Sequence, residues 1–148
     1  MDIQIRRVKG GDVGDILEQI DKTITFVGDV WTAAQFQDFE NILVATTLKD
    51  TIVGYLVYEI GGTGNSTGNT LHIYNLGVDL QHQRQGVGTK LLEFVKQMPN
   101  ISSVTLEVAV NNQKALGLYR RMGFCVEHEI SHYYGLDQHA YFARLNLP

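Results

Sequence analysis

The chain lacks most of the features that would assign it to a specialised class of protein. It has one cysteine, so it cannot form a disulfide bond within itself. It has no apolar run of transmembrane length, and its first residues lack the apolar core of a signal peptide. The Walker pattern G-x-x-x-x-G-K-[ST] is also absent, which disfavours an NTPase. We therefore expect a cytoplasmic protein with no membrane association.

Basic residues are also fewer than acidic residues in this chain. The chain has 12 lysines and arginines against 16 aspartates and glutamates, which gives a formal net charge of −4. This balance argues against nucleic acid as the main partner and suits a cationic substrate such as an amine. With 148 residues, 44% of them hydrophobic, the chain is long enough for one domain over residues 1–148 with its own core.

The spacing of apolar residues predicts an α/β domain with a mixed sheet and no internal repeat. Strands are expected around residues 3–8, 42–48, 52–60, 70–79, 104–110, 124–131 and 138–145, and helices at 12–20, 32–39, 87–98 and 112–122. Asp12, and Asn111 or Asn112, are the expected capping residues of two of these helices. Residues 61–69, which include no apolar side chain, are expected to form a mobile hairpin loop.

A glycine-bearing turn between a predicted strand and a predicted helix is the clearest binding motif. It has the sequence Gln83-Arg84-Gln85-Gly86-Val87-Gly88. Such a turn leaves backbone N–H groups unpaired and pointing in one direction, and the helix dipole adds to their attraction for an anion. Glycine at two positions leaves the backbone open to a phosphate. Taken alone, the motif is a weak signal, and an ordinary helix-opening turn is the alternative.

Together with motifs further along the chain, this turn resembles the GNAT superfamily of acetyl-CoA-dependent N-acetyltransferases. The family pattern is Gln or Arg, two residues, Gly, one residue, and Gly or Ala, which Gln83 to Gly88 fits. The next strand and helix of the family are matched in order and spacing by Leu106-Glu107-Val108, Asn112, Leu118-Tyr119 and Gly123-Phe124. Strong resemblance covers residues 71–145, about half of the chain, and the first half matches only in topology. The resemblance implies a mostly antiparallel sheet of about seven strands flanked by about four helices.

The same resemblance implies where acetyl-CoA binds. The backbone of Leu76, Gly77 and Val78 would pair with the pantetheine arm as an added strand does. Asn112 would hydrogen-bond the cofactor near the start of its helix. The pyrophosphate would accept hydrogen bonds from the backbone of Arg84, Gln85, Gly86, Val87, Gly88 and Thr89. No metal is implied.

Two side chains are candidates for acid–base chemistry. Glu107 lies in the middle of a predicted strand, where glutamate is uncommon, and could take the proton of an incoming amine. An exposed or salt-bridged strand residue is the alternative, and His72, Tyr74 and Glu59 compete for the role of base. The family places at Tyr119 the acid that protonates the departing thiolate, the alternative being a core tyrosine on a helix face.

The expected acceptor is a protein N-terminus. Tyr133-Tyr134 is similar to a tyrosine pair in the branch that acetylates protein N-termini, including the ribosomal-protein alanine acetyltransferases, where it lines the peptide groove. Trp31 is a further candidate wall of that groove, although packing is the alternative for all three residues. The chain departs from the ribosomal-protein branch because Val30, and no proline, precedes Trp31. A small amine such as a polyamine or an aminoglycoside is the runner-up acceptor, and a domain that binds acyl-CoA as a sensor is a third possibility.

One motif is expected to be misleading. His128-Glu129-Ile130-Ser131-His132 matches the zinc-protease pattern H-E-x-x-H, which needs a helix to bring both histidines to one metal. The surrounding alternation predicts a strand, on which the two histidines would lie about 13 Å apart. The sequence therefore predicts no metalloprotease site. Cys125, at the start of this strand, is expected to be a small buried residue.

Overall fold

The computed structural model describes residues 2–19, 36, 40–61, 69–83 and 85–148. These residues form strands β1 (Gln4–Arg7), β2 (Asn41–Thr46), β3 (Ile52–Gly61), β4 (Asn69–Val78), β5 (Ile101–Ala109), β6 (Cys125–Gly135) and β7 (Gln138–Asn146), and helices α1 (Asp12–Gln19), α2 (Val87–Lys96) and α3 (Gln113–Arg121). The predicted α/β fold with about seven strands is confirmed, with three α-helices in the described residues instead of about four. The helix predicted at 32–39 lies outside those residues except for Phe36, which is helical and buried. No helix among the described residues is long and apolar enough to cross a membrane.

All seven strands belong to one sheet, in the order β1-β2-β3-β4-β5-β7-β6. Every neighbouring pair is antiparallel except β4 and β5, which run parallel. Parallel neighbours need a crossover connection, and α2 supplies it between these two strands. The ends of β4 and β5 and the beginnings of the helices that follow them therefore meet near the middle of the sheet.

Helices α2 and α3 pack on one face of the sheet and form the larger core with it. Their buried residues are Val87, Gly88, Leu91, Leu92 and Val95 on α2, and Ala115, Leu116, Leu118 and Tyr119 on α3. Each fully buried leucine or valine contributes about 1.5–3 kcal/mol relative to an exposed position. Helix α2 lies close to β3, because a Cβ atom on Gly54 would stand 2.8 Å from Cγ1 of Val87.

The opposite face of the sheet has a smaller apolar core and a polar region beside it. The smaller core consists of Ile16, Phe36, Ile42, Val44, Ile52, Tyr55 and Val57. Tyr55 lies directly against the backbone of β4, since a Cβ atom on Gly77 would come within 2.5 Å of its ring. The larger core contains Leu106 and Val108, so alternation along β5 places Glu107 on this opposite face.

Strand β6 differs from the prediction in length and in burial. It was expected to end at residue 131 with the tyrosine pair following it, but it continues to Gly135 and includes both tyrosines. The extension carries a bulge, with a register shift between Ile130 and Gly135 and a φ of 58° at His132, which an alternating pattern does not reveal. The prediction that Cys125 is buried was wrong, because β6 is an edge strand of the sheet and Cys125 is exposed.

A network of ion pairs connects β1, α1 and the turn after β2. The guanidinium of Arg6 lies 2.7 Å from Asp12 and 3.1 Å from Asp50. Asp12 also accepts the backbone N–H of Lys9 at 2.7 Å. Burial by itself would raise the pKa of Asp12, but the hydrogen bonds from Arg6 and Lys9 outweigh that effect and lower the pKa.

We expect the substitution Asp12→Asn to reduce the free energy of unfolding at pH 7 by about 1–2 kcal/mol, because Arg6 loses the more buried of its two carboxylate acceptors among the described residues and keeps only Asp50. The pKa of Asp12 is lowered in the folded protein, so its stabilising effect is complete above the unfolded-state pKa and is lost as the pH falls through the folded-state value. The difference between variant and wild type should therefore shrink below pH 3.8. Urea unfolding across this range measures it, and a difference that stays constant in acid would contradict the assignment.

Candidate active site

Strands β4 and β5 separate halfway along their length. Their pairing runs from Asn69–Ile101 to Ile73–Leu106 and ends there, although β4 continues to Val78 and β5 to Ala109. A register shift between β3 and β4 at Val57 and Tyr58 marks a bulge in β4 at the same level, and bulges bend strands. The gap leaves one edge of β4 open to an extended ligand, which can pair with its backbone.

A first cavity of about 380 Å³ lies beside this gap, between the beginning of α2 and the face of α3. Its lining consists of Val78, His82, Gln83, Gly86, Val87, Gly88, Thr89, Gln113, Lys114, Gly117, Leu118 and Arg121. Five predicted cofactor-binding residues, Val78 and Gly86 to Thr89, are therefore brought together at one cavity. Arg84 lies outside the described residues, and Gln85 is exposed in the adjoining turn.

Glycine is required at the two positions of the turn for different structural reasons. Gly86 is the N-cap of α2 with a φ of 81° and has no side chain that could cap the helix. The first N–H groups of α2 can therefore serve an anion, with the helix dipole in support. Gly88 lies where α2 meets α3, because its Cβ atom would stand 3.1 Å from Cδ2 of Leu118.

Helix α3 contributes side chains to the first cavity that the sequence prediction did not include. Gln113, Gly117 and Arg121 repeat every four residues and share one helix face, and Lys114 adjoins them. The ammonium of Lys114 donates to Oε1 of Gln83 at 3.0 Å, which joins α3 to the glycine turn. Lys114 and Arg121 make the cavity favourable for phosphate groups.

The remaining predicted cofactor residues lie elsewhere. The side chain of Leu76 is buried in the larger core and Gly77 has none, so each offers a ligand its backbone in the β4–β5 gap. Asn112 is the N-cap of α3, as predicted, and its Oδ1 accepts the N–H of Ala115 at 3.2 Å. It borders a second cavity, of about 260 Å³, and is absent from the lining of the first.

Glu107 lies at the centre of a hydrogen-bonded cluster where β4 and β5 begin to separate. Its Oε2 is 2.7 Å from Nε2 of His72, and Nδ1 of the same ring is 2.6 Å from Oγ1 of Thr105. The side chains of His72 and Glu107 are 21% and 15% exposed, so an incoming molecule can reach a pair that is otherwise shielded from water. The structure thus joins Glu107 to His72, one of its competitors for the role of base.

Two tyrosines, both protonated phenols, lie beside the His72–Glu107 pair. Burial raises the pKa of Tyr133, and the negative charge of the nearby Glu107 raises it further. Burial and the nearby charge of Glu59 likewise raise the pKa of Tyr74, whose hydroxyl donates to Glu59 at 3.2 Å. The ring of Tyr74 also packs edge-on against His72, with centroids 4.8 Å apart. The site is therefore acidic and rich in hydrogen-bond donors.

The two tyrosines on β6 pack edge-on against each other, with ring centroids 4.8 Å apart, but have different surroundings. Tyr133 is 46% exposed and lies near the charge of Glu107, whereas Tyr134 is half-buried and lines the second cavity. That cavity is completed by Ala109, Val110, Asn111, Asn112, Asp137, Gln138 and His139. Trp31, the other predicted groove residue, lies outside the described residues.

Tyr119 is a buried residue of the larger core whose hydroxyl has no partner among the residues that the structure describes. The side chain is 1% exposed, and its ring packs edge-on against Phe124 with centroids 5.5 Å apart. Its hydroxyl makes no hydrogen bond within the described part of the chain. Burial, followed by the proximity of Tyr134, raises its pKa far above the ordinary value. An unpaired buried hydroxyl costs about 1–3 kcal/mol, a cost that a hydrogen bond would remove.

The histidines near the H-E-x-x-H motif have local structural roles. The motif lies on strand β6, as predicted, and His128 stacks on Phe142. Ligand atoms of His132, Asp137 and His139 lie within 4.8 Å of one another. However, Nδ1 of His139 accepts the backbone N–H of His132, and Nδ1 of His132 accepts that of Asp137. These hydrogen bonds stabilise the β6–β7 hairpin and account for the grouping.

Comparison with known proteins agrees with this geometry. The model of the Acetyltransferase (GNAT) family matches residues 17–124. The N-alpha-acetyltransferase of Sulfurisphaera tokodaii is 30% identical over 115 residues, which cover 71% of this chain and 69% of that protein. The N-alpha-acetyltransferase RimI of Mycobacterium tuberculosis is 34% identical over 104 residues, which cover 67% and 65%.

Solved structures show the same fold. The chain is similar over its whole length to a chain of the NatC complex bound to Gag peptide and CoA, with a TM-score of 0.84 and 22% identity, and all of that chain is covered too. The family match extends over most of the sequence and includes both the glycine turn and Glu107. The chain therefore belongs to the GNAT family and is an acetyl-CoA-dependent N-acetyltransferase.

Proposed function

We propose that this enzyme acetylates the α-amine of a protein or peptide N-terminus. The observation that carries the proposal is the cluster of Glu107, His72 and Tyr133 at the mouth of the β4–β5 gap. It lies on the sheet face opposite α2 and α3, so an amine can approach from one side and the thioester from the other. The relatives named above are N-alpha-acetyltransferases, and the NatC structure contains a peptide together with CoA, which supports this acceptor.

The first cavity and the gap have the donor groups that acetyl-CoA requires. N–H groups at Gly86 and the first turn of α2 suit the pyrophosphate, and Lys114 and Arg121 add positive charge. The open edge of β4, at residues 76–78, suits the pantetheine arm, which has amides that can pair with a strand. No metal takes part in this scheme.

Glu107 is the proposed base. The α-amine is largely protonated at neutral pH, with an ordinary pKa of about 7.7–8.0, and must lose a proton before its lone pair can attack. The carboxylate accepts that proton, directly or through water, and the neutral nitrogen then bonds to the acetyl carbon. The nitrogen releases its second proton as the amide forms, which balances the proton that the departing sulfur takes up. As the carbon–sulfur bond breaks, the electron pair remains on sulfur.

Tyr119 is the proposed acid that protonates the departing thiolate. Burial raises the pKa of this phenol, which makes it a weaker acid in isolation. The same shielding raises the proton affinity of the thiolate, whose thiol has an ordinary pKa of about 8.5, so transfer remains feasible within the site. The hydroxyl also gains the hydrogen-bond partner that it lacks among the described residues.

A small polyamine is the second candidate acceptor, and one feature favours it. Glu59 provides a second carboxylate close to the base, held by Tyr74 beside His72. Two carboxylates suit a molecule with two ammonium groups. A peptide remains the first choice, because Tyr133 is exposed next to Glu107 and can contact a chain that leaves the site.

The acceptor class can be tested by following release of the CoA thiol from acetyl-CoA with a panel of peptides that differ in their first residue, and with spermidine and an aminoglycoside. We expect turnover on peptides, because the site combines a base with an exposed aromatic side chain. The matched control is each peptide with its α-amine already acetylated, which should give no turnover. Turnover confined to the small amines would overturn the proposed acceptor and retain the enzyme.

A further inference from the structure

Thr105 occupies a position from which it can control His72. The parallel register of β4 and β5 places the two residues directly opposite each other. Thr105 is 4% exposed, and its hydroxyl lies 2.6 Å from Nδ1 of His72. Buried hydroxyl groups in proteins are almost always hydrogen-bonded, and here the imidazole is the partner.

The hydrogen bonds on the two sides of the imidazole determine where its proton lies. An ionised carboxylate only accepts hydrogen bonds, so the contact of 2.7 Å with Glu107 requires a hydrogen on Nε2 of His72. A neutral imidazole with that hydrogen has its lone pair on Nδ1, which accepts the O–H of Thr105. In this arrangement, neither nitrogen of His72 offers a lone pair to an incoming amine.

We infer that Thr105 is a positioning residue for acetyl transfer, because it holds His72 as the Nε2–H tautomer. In this tautomer His72 orients the carboxylate of Glu107, and Glu107 takes the proton of the amine. This inference rests on the proposed function and resolves which member of the pair is the base. The N–H of His72 holds one oxygen of Glu107, and the amine's proton passes to the carboxylate. Thr105 thus acts on the reaction only through His72.

The tautomer can be measured in the free enzyme, without acetyl-CoA or an acceptor. Long-range ¹H–¹⁵N NMR of ¹⁵N-histidine-labelled protein distinguishes a protonated Nε2 from a protonated Nδ1, and the substitution His72→Gln identifies the signal. We expect the Nε2–H pattern at neutral pH. A pattern with hydrogen on Nδ1, which would make His72 an acceptor toward Glu107, would overturn the inference whatever the acceptor of the enzyme is.

Variants of Thr105 connect this tautomer to turnover. Thr105→Val keeps the shape but removes the hydroxyl, so we expect mixed tautomer signals and a kcat roughly fivefold lower, with melting temperature and acetyl-CoA binding nearly unchanged. Thr105→Ser should restore both the single tautomer and kcat. Ser103→Ala is the matched control, since Ser103 lies two residues away on the same face and contacts Thr70 instead of His72.

The results for the Thr105 and His72 variants test the positioning role whether the acceptor is a peptide or a small amine. If Thr105→Val leaves the His72 signals and kcat as in wild type, or if Thr105→Ser fails to restore them, Thr105 has no positioning role. His72→Gln provides a second check, because glutamine can still donate to Glu107, and it should retain more turnover than Glu107→Gln. An equal loss in the two variants would return the role of base to His72.

Discussion

Replacing Glu107 by glutamine is expected to lower kcat for acetyl transfer by about 10²- to 10⁴-fold, the usual contribution of a general base. Glutamine has nearly the same size, and its amide oxygen can still accept the hydrogen bond of His72, so the site should keep its shape. It cannot take the proton of the amine. The variant should therefore depend on amine that has lost its proton in solution, and its pH optimum should move upward.

Initial rates between pH 6 and pH 10, roughly two units either side of the α-amine pKa of about 8, would measure both effects, with acetyl-CoA affinity determined separately. Glu129→Gln is a suitable control, because Glu129 is an exposed carboxylate on the edge strand β6 and should give the wild-type profile. An unaltered pH–rate profile in Glu107→Gln would assign the role of base to another residue, with His72 the first to consider.

Removing the hydroxyl of Tyr119 is expected to lower kcat by about 10²-fold without destabilising the fold. The ring in Tyr119→Phe can keep its packing against Phe124, and the variant loses a buried hydroxyl that has no hydrogen-bond partner among the described residues. The melting temperature should therefore stay the same or rise slightly, because the lost group carried a desolvation cost. Thermal unfolding measured beside steady-state kinetics separates the two roles of this residue.

Tyr58→Phe is the matched control for this effect. Tyr58 is also 1% exposed in the larger core, but it lies on β3 and no part of the proposed mechanism uses it. It should keep the wild-type kcat. If Tyr119→Phe also turns over at the wild-type rate, Tyr119 is a core tyrosine and the acid must be sought elsewhere.

Local patterns in the sequence were sufficient for the elements and for part of the site. Alternation along β5 separates the core residues Leu106 and Val108 from Glu107, and the structure keeps that division. The capping role predicted for Asn112 is confirmed by its hydrogen bond to the backbone of Ala115. Gly86 adopts the left-handed conformation for which glycine is favoured.

The rest of the site depends on contacts between distant segments, which local patterns do not specify. The pairing of His72 with Thr105 follows from the register of β4 and β5, and a shift by one residue would turn every side chain to the other face. Lys114 and Arg121 become relevant only because α3 packs beside the beginning of α2. Tyr133 and Tyr134 pack edge-on against each other, yet Tyr134 lines the second cavity and Tyr133 does not, a difference that depends on the packing of β7 and the turn after β5.

Mapping the product shows whether the enzyme transfers acetyl directly to an α-amine. The enzyme would be given acetyl-CoA and a short peptide that has a free α-amine and an internal lysine, and tandem mass spectrometry would locate the acetyl group. We predict acetyl on the α-nitrogen alone, with one CoA thiol released for each acetylated peptide. Acetyl on the lysine side chain, or CoA release without an acetylated peptide, would contradict direct transfer to the α-amine.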